Sequence, residues 1–349
     1  MSLLWSGFLL GCVFGVAARL GRFCLLRGLR QAMGRDSAEA PHSAPALQAF
    51  ALALAMALLA SQGLALAGLV DLGEAQVVRS QFALGGSVVG GVLFGLGMVL
   101  ARSCGARALV LLAGGNLRSL VTVVFLALGA QACMTGVLAP LRQGLNSLWP
   151  MALAHATLPQ QLQASGWSAT AAYALGALVP AALLLAYALW RPALRRSPLQ
   201  WSTALVVGLL VAAGWWVSAT IDVDPFDPAK LSSLSFVGPI AEGLLYLQLA
   251  VGRELSLGPA LAFGVLVGAA VAALASRTAQ WEGFDSPARL VQSAAGGLLM
   301  GFGGVLAAGC SIGQGLTGLS TLAFASLPAV AGIVLGALAA LRLQPRAPG

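Results

Sequence analysis

Apolar residues run along this chain in long blocks, broken by short charged or proline-bearing stretches, with no polar stripe recurring at helical spacing. A bilayer core is crossed by about 20 such residues in a helix. The blocks predict nine spans, near residues 3–18, 47–70, 82–101, 119–139, 169–190, 201–219, 257–275, 291–308 and 326–342. Stretches 140–168 and 220–255 read as short interfacial or tilted helices, with Trp149, Trp167 and Tyr246 as anchors.

Composition narrows the class further. Of 349 residues, 59% are hydrophobic and 9% charged, against about 25% charged in soluble domains, which excludes a cytosolic enzyme. The net charge is +8, from 18 arginines and Lys230 against 11 acids. The basic residues are scattered and aromatics sparse, so nucleic-acid binding is not indicated. Arg19, Arg22, Arg27, Arg30 and Arg35 share one connection, and Arg191, Arg195 and Arg196 another. Positive charge is retained on the cytoplasmic side, so these connections are expected inside. Those bearing Asp71 and Glu74, and Asp222, Asp224 and Asp227, are expected outside. The N-terminus is then external and the C-terminus, with Arg342 and Arg346, cytoplasmic.

Two stretches do not fit as plain spans. Residues 105–116, after Cys104, and 311–318, after Cys310, are too short to cross and rich in glycine. Irregular backbone at membrane depth survives only when buried in protein or lining a wet cavity. An offset of 206 places Cys104 on Cys310 and pairs Gly90, Gly91, Gly95 and Gly97 with Gly296, Gly297, Gly301 and Gly303, so that nine of the fifteen positions from 90 to 104 match. The two segments lie in the third and eighth spans and therefore cross in opposite senses, the inverted architecture common in transporters. The repeats are expected to divide the chain at 1–168 and 169–349. The glycines have a packing explanation of their own, because small-xxx-small pairs let helix backbones approach.

The cysteines carry the chemistry. Cys24, Cys104 and Cys310 each follow a glycine pair, nine residues after Gly15, Gly95 and Gly301. Cys12 and Cys133 lack this phase and read as small buried hydrophobes. No C-x-x-C pair occurs, and His42 and His155 are the only histidines, so neither a metal set nor a cofactor is expected. No acid occurs between Glu74 and Asp222 or after Asp285, which disfavours a cation path or proton relay through the repeats. Glu242 and Glu254 read as interfacial. Arg22 and Arg27 lie near Cys24, and Arg102 and Arg107 near Cys104, where they either anchor the cytoplasmic face or draw anions inward. A thiolate would repel an anion, whereas a neutral S–H is a weak donor on a soft, polarizable sulfur. Half-helix N-termini and glycine-loop amides at Gly105, Ser311, Gly313 and Gln314 would add positive potential. Weak successive donors let a transported ion leave each site, and they suit a soft sulfur-bearing oxyanion.

At Gly21-Arg22-Phe23-Cys24, at Gly95 to Gly105 and at Gly301 to Gly315 the chain resembles the YeeE/YedE family of sulfur-transport membrane proteins, as it does at Ser235-Phe236-Val237-Gly238-Pro239-Ile240. The resemblance spans nearly the whole chain. It implies an all-α polytopic fold of about nine transmembrane helices with re-entrant segments, built as an hourglass-like, pseudo-two-fold channel in a bacterial inner membrane. It also implies inward passage of thiosulfate along Cys24, Cys104 and Cys310, and delivery to a small cytosolic sulfur carrier of the TusA/SirA type. The fourth quasi-equivalent position, sought around Gly208 to Ala219, holds no cysteine. Two alternatives stand beside this reading: a permease for another sulfur or selenium oxyanion, and a membrane thiol–disulfide oxidoreductase using Cys104 and Cys310.

Overall fold

The computed structural model describes residues 2–36, 43–221, 231–252, 255–284 and 286–344. The expectations for His42, Asp222, Asp224, Asp227, Glu254, Asp285 and Arg346 fall outside them. The chain forms α1 (Leu3–Leu20), α2 (Leu25–Ala32), α3 (Pro45–Leu66), α4 (Leu84–Leu100), α5 (Gly105–Leu112), α6 (Leu117–Met134), α7 (Ala139–Asn146) and α8 (Leu158–Ala164). It continues with α9 (Ala169–Trp190), α10 (Pro192–Arg195), α11 (Pro198–Thr220), α12 (Val237–Gln248), α13 (Leu257–Ala275), α14 (Pro287–Leu306) and α15 (Ser326–Leu343).

Among the described residues, eight helical stretches are long and apolar enough to cross a membrane. The remaining expected span corresponds to α14, whose first turns carry Arg289, Gln292 and Ser293 and are less apolar. Proline opens α3, α11 and α14, where its missing N–H costs nothing. Asn116 caps α6 by accepting from Ser119 N at 3.0 Å. Around the perimeter, Leu183, Val271, Leu274, Val291 and Leu335 are exposed. Apolar surface on this scale is what lipid covers. Stretch 140–168 contains most of α7, all of α8 and β2 (Pro150–Ala152), which pairs antiparallel with β1 (Gln81–Ala83) at the start of the expected span 82–101, a ribbon that the apolar pattern does not announce.

The packing has an internal symmetry. Helix α1 lies along α13 and α11 along α3, while α4 lies along α15 and α14 along α6. Likewise α2 touches α3 and α15, and α12 touches α13 and α6. Exchanging α1 with α11, α2 with α12, α3 with α13, α4 with α14 and α6 with α15 maps every one of these contacts onto another. This exchange matches residues 208–219, in α11, with the body of α1. The counterpart of Cys24 therefore sits at the head of α12, not where the sequence suggested.

The seam between α4 and α14 is antiparallel and reciprocal. A Cβ on Gly97 would stand 2.6 Å from Gly296 O, and one on Gly296 would stand 2.7 Å from Gly97 O. Gly90 and Gly303 repeat the arrangement at 2.7 and 2.6 Å. Only glycine permits backbone to meet backbone in this way.

Candidate functional site

Each of the three phased cysteines is set in the same kind of turn. Two residues before each one, a non-glycine residue turns left-handed: Arg22 (φ 50°), Arg102 (φ 57°) and Ala308 (φ 57°). Such a turn stops the preceding long helix and redirects the chain inward. Cys24 is then the N-cap of α2, and Cys104 the N-cap of α5. Cys310 precedes a π-helical turn at Gly313–Gly318, and Gly313 N donates to its Sγ at 3.2 Å. The amide of Gln314 locks the last turn by donating to Ala307 O at 3.1 Å and Ala308 O at 2.8 Å.

Main-chain N–H groups converge on all three sulfurs. The N–H groups of Leu26 and Arg27 lie near the sulfur of Cys24, and that of Arg107 near Cys104. Ile312, Gly313, Phe236 and Val237 donate toward Cys310, so this sulfur faces the start of both the π turn and α12. Unsatisfied N–H groups and the helix dipole make such ends favourable for negative charge. The side chains of Cys24 and Cys104 are close enough to interact with each other, and Cys310 is within electrostatic range of Cys104. All three are buried, at 7%, 3% and 1% exposure, so they occupy the centre of the molecule and not its lipid face.

The other sequence-selected residues divide by location. Arg107 interacts electrostatically with Cys24 and Cys104, and its Nη1 donates to Ala18 O at 3.2 Å. Arg22 and Arg102 are exposed at turns, and Arg102 borders a small cavity with Ser103, Arg118 and Arg289. Gly105 opens α5 against Leu126 and Ile240. Ser311, 1% exposed, has a hydroxyl that finds no hydrogen-bond partner among the described residues, and the same holds for Gln314 Oε1. Cys12 lies at the α1–α13 seam, and Cys133 faces Phe302 O at 3.9 Å; neither is brought to the three phased thiols. Among the described residues no three His, Cys, Asp or Glu side chains stand close enough to hold a metal ion.

A cavity of about 1610 Å³ opens beside Cys310. Its wall includes Gly309, Gly313 and Thr317, the starts of α1, α4 and α13, and the polar side chains of Arg79, Arg142, Ser235 and Glu242. Arg142 Nε is buried and finds no partner among the described residues. Sequence reasoning did not single out Arg79 or Arg142, which belong to no motif, and gave Ser235 no role of its own. Of these, only Ser235 carried a signal, its place in the Ser235–Ile240 stretch. Thus α12 and the π turn reach the centre from the cavity end. From the opposite end, where α4 terminates at Arg102, α2 and α5 do the same.

The sulphur-transport family model matches residues 20–339. A thiosulfate transporter, TsuA, of Spirochaeta thermophila is 28% identical over 347 residues, covering 96% of this chain and 97% of its own. The thiosulfate transporter TsuA of Escherichia coli K12 is 27% identical over 341 residues, covering 90% of this chain and 87% of its own. With that match running through all three cysteine turns and eight apolar helical stretches around them, this chain belongs to the sulphur-transport family of polytopic membrane proteins.

Proposed function

We propose that this protein moves thiosulfate into the cytoplasm, with the anion passing from Cys310 to Cys104 to Cys24. The observation that carries this reading is the convergence of three buried thiols at N–H-rich helix starts beneath a large cavity whose wall includes Arg79, Arg142 and Ser235. The terminal sulfur of thiosulfate would accept an S–H bond at each station while the amides offset charge on its oxygens. Each contact is weak, so the ion can leave it. The thiols keep their protons throughout, and no covalent bond forms.

The exchange symmetry supports two inverted repeats, residues 3–134 and 198–343, with α7–α10 between them. On this reading α7–α10 form an insertion between the repeats, in place of a single cut at 168. The arginine-bearing end, with Arg19, Arg22, Arg27 and Arg102, is assigned to the cytoplasm by the retention of positive charge. The cavity and the N-terminus then face outward, and the C-terminus inward, in a bacterial inner membrane. A cytosolic carrier of the TusA/SirA type would receive the sulfur at the arginine-bearing end.

Purified protein in liposomes should take up labelled thiosulfate, and Cys24→Ala, Cys104→Ala and Cys310→Ala should each abolish uptake. Cys12→Ala and Cys133→Ala should retain it. Full uptake by all three of the first set, at normal expression, refutes the thiol path. The proximity of Cys24 to Cys104 also favours a second reading, a thiol–disulfide enzyme, with Cys24 rather than Cys310 as the partner of Cys104. Uptake that persists in strong reductant excludes it.

A further inference from the structure

We infer that Ser235 is a substrate-contacting residue: its hydroxyl, one residue before the position that symmetry pairs with Cys24, binds the oxygen end of the anion while Cys310 holds the sulfur end. This rests on the thiosulfate reading above and adds to it a determinant of which end of the ion leads.

The placement comes from packing. Helix α12 exchanges with α2, and Cys24 heads α2 beside Cys104. By the same exchange the residue heading α12 beside Cys310 is the fourth member. Phe236 caps α12 but is fully buried, with its ring 4.9 Å from that of Phe14, so it is committed to the core. Ser235 precedes it and lines the large cavity. The Cβ direction of Gly313 points between them, 2.9 Å from Ser235 Oγ and 3.6 Å from Cys310 Sγ, so the two groups stand no more than about 6.5 Å apart, a span that one small ion can bridge.

The hydroxyls of Ser218, Ser233 and Thr317 are occupied. Ser233 Oγ donates to Val211 O at 2.6 Å, Thr317 Oγ1 to Leu234 O at 2.7 Å, and Ser218 Oγ to Ser232 O at 2.7 Å. These bonds pin residues 232–234 to α11 and to the π turn. Ser235 sits on that fixed strap with its own hydroxyl making no hydrogen bond among the described residues. A hydroxyl is a stronger donor to a hard anionic oxygen than a thiol is. The pair Ser235–Cys310 therefore matches an ion with oxygen on one side and sulfur on the other, whereas Cys24–Cys104 presents sulfur alone.

The test is concentration-dependent uptake of labelled thiosulfate by liposomes bearing wild type, Ser235→Ala, Ser235→Cys and Ser235→Thr, with thiosulfate affinity also measured on the purified proteins. Ser235→Ala and Ser235→Cys should raise KM and Kd about tenfold at unchanged maximal rate, the size of a lost charge-assisted hydrogen bond. Ser235→Thr, which keeps the hydroxyl, should stay within about twofold of wild type. A Ser235→Ala protein with wild-type KM and Kd overturns the inference, as does loss of affinity in all three variants alike, which marks a purely steric role. Wild type without uptake or binding fails the thiosulfate reading itself, a result distinct from either.

Discussion

Adding one methyl group to Gly97 tests the frame that holds the thiols. The new Cβ would stand 2.6 Å from Gly296 O and 2.9 Å from Met300 N, where ordinary contact begins at 3.4 Å. The opposing atoms are main chain, so no rotamer change relieves the clash, and α4 and α14 must part by about 0.8 Å, the shortfall from 3.4 Å. Overpacking of this kind costs about 1–3 kcal/mol, against about 1 kcal/mol returned by alanine's better helix propensity. Gly97→Ala should therefore lower the thermal midpoint in detergent by several degrees. Gly296→Ala, the symmetry mate, should do the same. Gly63→Ala, in α3 with nothing within 4 Å of its Cβ, supplies the propensity gain alone and should leave the midpoint unchanged or raised. Because α4 ends at the Cys104 turn and α14 at the Cys310 turn, the seam variants should also lose uptake out of proportion to their expression. A Gly97→Ala protein as stable and active as wild type refutes the reasoning.

Further outcomes follow from the turns and the cavity. Ala308 holds φ 57°, which a β-branched side chain adopts only with strain. Ala308→Val should cost about 2 kcal/mol in stability and much of the uptake, whereas Ala308→Gly should be tolerated; equal behaviour of the two would remove the strained-turn account. Arg142→Gln and Arg79→Gln, on the cavity wall, should raise KM for thiosulfate without lowering the maximal rate and should flatten its dependence on salt, since the Debye length is only about 8 Å at 0.15 M. Unchanged KM and salt dependence in both variants would show that these arginines do not recruit the ion.

Local and periodic features were legible in the sequence; long-range juxtapositions were not. Apolar blocks located the long helices because membrane spans announce themselves by length and composition. The glycine register at offset 206 identified α4 and α14 as mates because both helices need the same close contact. Helices α1 and α11 share no such register, and the fourth position was therefore sought in residues 208–219 instead of at the head of α12. The left-handed conformations of Arg22, Arg102 and Ala308 had no sequence signal, since none of the three is glycine or asparagine. The β1–β2 ribbon joins two three-residue segments far apart in the chain, too short for alternation to register.

The reciprocal glycine seam has a mechanical consequence. Where two helices touch main chain to main chain at both Gly97–Gly296 and Gly90–Gly303, sliding either one by a turn drives Leu299 or Leu93 into a gap sized for hydrogen. A joint of that kind behaves as a weld and not as a bearing. The distance between Cys104 and Cys310 is thus set by rigid struts, and along the proposed path it is the ion that travels while the scaffold stays in place.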